Sequence, residues 1–140
     1  MATGGDEQWR AQRARAVAAH AAERDRRTAA EAAQARELLV EFARTARERG
    51  LPAEPLVARG YHGKGRYRTG LRGWYLRSDG GLAVSTEGDF YVLTVPPSLT
   101  ARLRGVVVTP ETPRLVIGEG GRDGERIELR VLLERRLAGA

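Results

Sequence analysis

Residues 6–49 contain neither proline nor glycine and consist mainly of alanine, arginine, glutamate and glutamine. These residue types have the strongest intrinsic preference for the α-helix. Gly50, Leu51 and Pro52 follow in the order that ends a helix: a glycine suited to the left-handed conformation, an apolar residue, and a proline that cannot continue the helix. A continuous helix here would be on the order of 60 Å long. Part of it must therefore project from the protein or meet a partner.

One face of this predicted helix carries small and apolar residues at alternating steps of three and four. We expect the C-terminal members of this face to pack on the rest of the protein or on a partner helix, because the bulky side chains lie there. The expected seam consists of Ala32, Ala35, Leu39, Phe42 and Ala46. The N-terminal part offers mostly alanine, and it remains available for self-association. Thr28 and Glu31 fit a capping box, so a helix break near Arg27 is the alternative to a continuous helix.

After Leu71 the apolar pattern changes from helical to strand-like. A short helix is predicted at residues 98–105, and leucines at helical spacing predict a helix at the C-terminus. The predicted strands are residues 73–77, 82–85, 89–95, 106–108 and 115–117, and residues 126–129 are either a short strand or the entry to the C-terminal helix. Short connections favour an antiparallel arrangement. We therefore predict an α+β fold, in which a long N-terminal α-helix precedes a small antiparallel β-meander of four to five strands and a short C-terminal helix.

This pattern divides the chain into three segments. Residues 1–50 form the helix, residues 51–70 a basic, glycine-rich linker, and residues 71–140 a small β-rich domain with its C-terminal helix. The linker is predicted from Pro52, Pro55 and four glycines, which favour irregular structure.

The formal net charge is +6, and its distribution is more informative than its size. The 23 arginines, together with abundant alanine and glycine, are typical of a GC-rich bacterial genome. However, residues 55–78 hold six cations and no acid, whereas residues 1–49 and 80–140 are close to balanced. The charge excess therefore lies behind the predicted helix and not on it.

The basic segment interleaves cations with aromatic residues and glycines over residues 59–77. Cations neutralise phosphates, and aromatic faces stack on unpaired bases. We predict sequence-nonspecific binding of nucleic acid, or of another polyanion, through Arg59, Lys64, Arg66, Tyr67, Arg68, Arg72 and Trp74. Two alternatives remain open. The segment could be a solvated linker whose Trp74 and Tyr75 belong to the core of the first strand, or it could bind an acidic protein.

The sequence offers little that indicates catalysis or a cofactor. It contains no cysteine, which excludes disulfides and thiolate metal sites. His20 and His62 have no acid or nucleophile at a recognisable spacing. Residues 118–124 are similar to a phosphate-binding loop but lack its required glycine and Lys-Ser/Thr pair, so we interpret them as a tight turn.

We therefore expect a non-enzymatic binding protein without metal or cofactor. The alternative function is a protein-interaction or adaptor module that uses the N-terminal helix for homodimer formation or partner binding. No apolar run approaches the roughly 18 residues of a membrane span, and the N-terminus does not look like a secretory signal. The helix also lacks the bulky apolar anchors of a membrane-surface helix. We expect a cytoplasmic protein with no membrane association.

Overall fold

The computed structural model describes residues 3–118 and 126–139. The α+β fold expected from the sequence is confirmed. In chain order, the elements are helix α1 (Thr3–Glu48), strands β1 (Glu54–Gly60), β2 (Arg66–Tyr75), β3 (Leu82–Ser85), β4 (Phe90–Val92) and β5 (Thr94–Val95), helix α2 (Leu99–Arg104), strands β6 (Val116–Ile117) and β7 (Ile127–Glu128), and helix α3 (Leu129–Ala138). Within the described residues, no helix combines the length and the hydropathy that crossing a bilayer requires.

Helix α1 runs through Arg27 without interruption, so the alternative break at the Thr28 capping box does not occur. Its two halves differ in burial. Nearly all of residues 4–30 are exposed. The second half buries the predicted seam and one further alanine: Ala32, Ala35, Leu39, Phe42, Ala43 and Ala46. The seam therefore packs on the protein's own core and is not available to a partner helix.

Trp74 in β2 is the largest side chain of this core and only 1% exposed. The ring of Phe42 meets it edge-on, with 5.9 Å between centroids. Its indole Nε1 donates a hydrogen bond to the carbonyl oxygen of Leu51, at 3.0 Å. Leu51 is held in turn because its N–H donates to the Ala46 carbonyl, after Gly50 has turned the chain with a positive φ. Leu51, which belongs to the segment that ends α1, thereby also anchors the helix to strand β2.

Strands β1 to β5 form one sheet in the order β4-β3-β2-β1-β5, antiparallel except for the β1–β5 pair. Strands β4 and β5 are neighbours in sequence, yet they lie at opposite ends of this order. Leu93 joins them. Its N–H donates to the Gly81 carbonyl at 2.9 Å, and its carbonyl accepts from the Arg59 N–H at 2.8 Å. The sheet therefore curls until its two ends meet at one residue.

The sheet has a core on each face, as expected for strands whose side chains alternate. On the helix side, Trp74, Val84 and Phe90 stand opposite one another on three neighbouring strands and pack with α1 and α3. On the other face, Ala83 and Tyr91 belong to a second buried cluster. The full second cluster comprises Leu56, Ala58, Tyr67, Ala83, Tyr91 and Leu93.

Residues 51–70 differ from the expected irregular linker, because β1 and the start of β2 occupy them. Pro55 is tolerated since β5 pairs only with Arg59 and Gly60, at the other end of β1. Gly63 has a positive φ in the hairpin turn, and Gly70 has one where the register between β1 and β2 shifts. The glycines that suggested a linker instead mark a turn and a bulge.

Three predicted strands also need correction. Residues 106–108 form no strand, and Val107 is 91% exposed. Residues 89–95 divide into β4 and β5 at Leu93. The first predicted strand, residues 73–77, is the end of the longer β2. The predicted turn at residues 118–124 lies outside the described residues except for Gly118, and the short strands β6 and β7 that flank it pair antiparallel.

Candidate nucleic-acid interface

The two aromatic residues predicted to stack on bases are in the core. Trp74 and Tyr67 are 1% and 2% exposed, so neither ring offers a face to a ligand. The Tyr67 hydroxyl accepts a hydrogen bond from the Ser98 N–H at 3.2 Å. The stacking role expected of these residues is therefore wrong, and the open alternative that placed Trp74 among core pairings describes it correctly. The aromatic that stays exposed in the basic segment is Tyr61, in the β1–β2 turn.

Three of the predicted cations lie away from the others. Arg68 Nη2 donates to the Leu103 carbonyl at 3.0 Å, which fixes it against the end of α2. Arg72 Nη2 donates to the Ala53 carbonyl at 2.8 Å. Lys64 lies in the β1–β2 turn and lines a separate shallow cleft with Arg102. None of these three side chains lines the groove that Arg59 and Arg66 form.

Arg59 and Arg66 do share a surface, because they are paired neighbours on β1 and β2. They line an open groove with a volume of about 770 Å³. Arg77, just after β2, lines the same groove, and Arg135 and Arg136 enter it from α3. This groove, with its five arginines, is called the arginine groove below. Two of the seven predicted residues, Arg59 and Arg66, are part of it.

The groove arginines rest on a fixed framework. Arg136 Nε donates to the Tyr75 carbonyl at 2.8 Å, which ties α3 to β2. The Tyr75 hydroxyl accepts from the Val57 N–H at 2.8 Å, so β1 is tied to the same residue. The Arg59 side chain lies beside Gly80 in the β2–β3 turn. The cations are thus presented by strands, a helix and a tight turn.

Some arginines elsewhere are paired with nearby acids. On α1, Arg26 and Arg27 pair with Glu23, and Arg44 pairs with Glu41 and Glu48. The hydrogen bond from Arg44 is the main cause of the lowered pKa of Glu41, and the charge of Arg44 adds to it.

The arginine groove brings five arginines together on one surface. In the part of the chain that the structure describes, none of its five arginines forms a salt bridge. Glu54 is the acid that lines it. The groove therefore carries an excess of positive charge that the described residues do not compensate.

The sequence reasoning missed Arg135 and Arg136 because the residues around α3 contain acids as well as arginines. The structure shows where those acids are used. Glu134 and Glu128 both pair with Arg130, at 2.9 and 3.5 Å. The i,i+4 spacing of Arg130 and Glu134 in the sequence predicts this pairing. The packing of α3 beside β1 and β2, which brings its remaining arginines to the groove, has no such local signal.

The histidines lie apart from the groove. His20 is on the exposed half of α1, and His62 is in the exposed β1–β2 turn. Among residues 3–118 and 126–139, no three histidine, aspartate or glutamate side chains come together in an arrangement that could hold a metal ion. The arginine groove is therefore the candidate functional site of the protein.

No protein-family model matches the chain, and no similar protein is found among curated proteins or among solved structures.

Proposed function

We propose that the protein binds the phosphate backbone of nucleic acids, without sequence preference, through the arginine groove. The observation that carries this proposal is the convergence of five arginines, none of them in a salt bridge with a described residue, around one open groove of about 770 Å³. Three come from the basic segment and two from α3. Positive charge that is held in place and left uncompensated is what a polyanion requires of its binding site.

The arginine side chain suits phosphate in particular. Its planar guanidinium can donate two parallel hydrogen bonds to one phosphate, and it stays charged at any physiological pH. An open groove admits a chain that continues beyond the site at both ends. Contacts to phosphate position a nucleic acid but carry no information on its bases. With Trp74 and Tyr67 buried, the groove lacks the base-stacking side chains first expected, which favours backbone binding.

We further propose that this role is binding and not catalysis. The ionisable side chains that line the groove are mainly guanidinium groups, which do not give up their protons in proteins and so cannot act as general bases. The proposed role is still the binding of a polyanion, as the sequence suggested, but it is assigned to a different surface. The polyanion site moves from a continuous segment to a groove that combines strands β1 and β2 with α3.

The test is fluorescence anisotropy with labelled single-stranded DNA, single-stranded RNA and duplex DNA over a series of salt concentrations. The groove variant is the triple substitution Arg59→Gln, Arg66→Gln and Arg135→Gln. We expect it to bind at least about tenfold more weakly. The slope of log K against log salt should become shallower by about 0.7 to 0.9 for each phosphate that the variant no longer neutralises. Wild-type affinity should depend little on base sequence.

The matched control removes the same charge elsewhere, with Arg10→Gln, Arg13→Gln and Arg15→Gln on the exposed half of α1. We expect this helix variant to bind almost as the wild type does. Equal losses in the two variants would show that total charge and not the groove determines binding. Absence of binding to all three nucleic acids at low salt would refute the proposal.

A second candidate function, partner binding or self-association through α1, is supported by the exposure of residues 4–30. Trp9 and Val17 are 58% and 60% exposed on this half. The seam from Ala32 to Ala46 no longer qualifies as the partner surface, because it is buried in the protein's own core. Analytical ultracentrifugation of the full chain and of a chain lacking residues 1–26 tests this function. A concentration-independent monomer in both cases would argue against self-association.

A further inference from the structure

Helix α2 and the segment after it carry the most exposed aliphatic side chains described. Leu99 and Leu103 are 78% and 79% exposed, and Val107 is 91% exposed. They lie within nine residues of one another. The arginine groove does not use them, and aliphatic side chains can neither pair with phosphates nor stack as aromatic rings do. Nucleic-acid binding therefore leaves this apolar surface, called the α2 face below, without a role.

The α2 face has the pattern of an amphipathic helix lying on a surface. At about 100° per residue, Leu99 and Leu103 fall on the side opposite Ala101, which packs against the second core cluster. Arg102 and Arg104 fall on either side of the leucine stripe. An apolar stripe between two cations thus faces outward from a helix whose inner side is anchored.

The α2 face is built to hold this orientation. The Ser98 hydroxyl caps the helix by accepting from the Ala101 N–H at 3.2 Å. At the other end, Arg68 donates to the Leu103 carbonyl, and the Val106 N–H donates to the Arg68 carbonyl at 2.8 Å. Gly105 makes this approach possible. Its φ is +82°, and a Cβ there would lie 2.7 Å from the Arg68 carbonyl oxygen.

The two segments that form the α2 face and its surroundings contribute cations and no acid. Residues 55–78 and 90–110, which supply the β1–β2 hairpin and the α2 region, contain no acid. Lys64 and Arg102 flank a shallow cleft of about 330 Å³ that Leu99 also lines. The α2 face therefore combines protruding aliphatic groups with cations that form no salt bridge with a described residue. Its complement is a surface that is negatively charged outside and apolar beneath.

We propose that the α2 face docks the protein on the surface of an anionic lipid bilayer. The two leucines and Val107 enter the boundary between headgroups and acyl chains, while Lys64, Arg102 and Arg104 meet the acidic headgroups. Peripheral binding needs both contributions, because neither a short apolar insertion nor a few cations suffices alone. The long arginine stems allow the charged ends to remain at headgroup level.

A bilayer fits this face better than a protein partner does. A stable protein interface buries about 800 Å² on each side. Helix α2 has six residues and so is only about 9 Å long, and its leucines protrude from it. A bilayer requires no matching shape and accepts protruding side chains. This proposal departs from the sequence-based expectation of no membrane association, which was argued from membrane spans and from the N-terminal helix.

The experiment uses the full chain and vesicles of phosphatidylcholine, alone or mixed with phosphatidylserine, in a sedimentation assay. We expect binding to the mixed vesicles and little to phosphatidylcholine alone. The double variant Leu99→Ser and Leu103→Ser should lose at least about tenfold in partitioning, because two insertions are removed. Its matched control, Val17→Ser and Val40→Ser, changes exposed aliphatic side chains on α1 and should retain binding. Thermal unfolding of both variants checks that they fold.

A fluorescent label distinguishes insertion of the apolar side chains into the bilayer from electrostatic attraction alone. Because the chain has no cysteine, Leu103→Cys provides a single position for an environment-sensitive dye, and Val17→Cys provides the control position. We expect a blue shift on anionic vesicles for the dye at position 103 and none at position 17.

The outcomes distinguish this proposal from nucleic-acid binding. In support, the leucine variant loses vesicle binding but keeps its nucleic-acid affinity, and the groove variant does the reverse. Vesicle binding that survives the leucine substitutions would overturn docking through α2. Absence of binding to anionic vesicles would overturn it too. So would a blue shift at position 103 that rises with protein concentration without vesicles, since that identifies a second copy as the occupant.

Discussion

The two halves of α1 are made largely of the same residues, yet only one of them belongs to the core. Alanine and arginine dominate both halves, and the helix passes from one to the other without a break. The second half adds Leu38, Leu39 and Phe42 at helical spacing, and these residues are at least partly buried. Helix propensity therefore accounts for the length of α1, while a few bulky apolar residues decide which part of it packs.

The comparison is tested most severely by removing one aromatic side chain from each half. We expect Phe42→Ala to lower the free energy of unfolding by about 3 to 5 kcal/mol, because it deletes a buried ring that packs on Trp74. Trp9→Ala, at a position that is 58% exposed, should change it by no more than about 0.5 kcal/mol. Urea unfolding followed by circular dichroism measures both. Similar losses in the two variants would show that the N-terminal half is packed in solution.

Replacing one alanine in each half of α1 by the larger leucine also tests the difference in packing between the halves. Ala35 is fully buried, whereas Ala18 on the N-terminal half is exposed. We expect Ala35→Leu to cost about 1 to 3 kcal/mol through overpacking. Ala18→Leu should be nearly neutral, because leucine is almost as good a helix former as alanine. An Ala35→Leu protein as stable as the wild type would indicate empty space beside the seam.

Deleting residues 1–26 should have a smaller effect on the stability of the remaining protein. Of these residues, those whose side chains the structure describes, 4–26, contribute to neither core cluster. We expect the free energy of unfolding to change by about 0.5 kcal/mol or less, while the far-ultraviolet helix signal falls in proportion to the residues removed. Calorimetry of the full and shortened chains makes the comparison. A large fall in the unfolding temperature would contradict the division of α1 into an anchored half and an exposed one.

The smallest expected effect is electrostatic and lies on the outer surface of the anchored half. Arg44 lowers the pKa of Glu41, chiefly through their hydrogen bond. The stabilising contribution of this pair is therefore present above the ordinary glutamate pKa and is lost as the pH falls through the lowered one. Arg44→Gln should raise the pKa of Glu41 toward its ordinary value, as followed by NMR titration of the carboxyl carbon. An unchanged pKa would mean that the pair is not formed in solution.

The anchored half could be predicted from the sequence because its signal is local. Leu39 and Phe42 lie at helical spacing in a segment free of glycine and proline, and Gly50 and Pro52 mark its end. Strand β1 could not be predicted in the same way. Pro55 and the glycines of the following turn have the composition of a loop, and only the pairing of β1 with β2 and β5 makes their positions compatible with a sheet.

The candidate site was less predictable than the fold for a physical reason. Sequence proximity located Arg59 and Arg66, but a groove also depends on which elements meet. Arg135 and Arg136 reach the groove because α3 packs beside β1 and β2, and Trp74 leaves the surface because its face of β2 meets α1. Local composition shows where charge is abundant in the chain. It does not show which charges become neighbours.

The closure of the sheet at Leu93 also affects how the protein reaches its fold. The helical hydrogen bonds of α1 and the pairings of the meander from β1 to β4 join residues close in sequence, and such contacts form quickly. The pairing of β5 with β1 must instead bring Thr94 to Arg59 and enclose the whole meander in one loop, at an entropic cost that no earlier contact repays. We therefore expect this closure to form after the strands that it encloses are already in register.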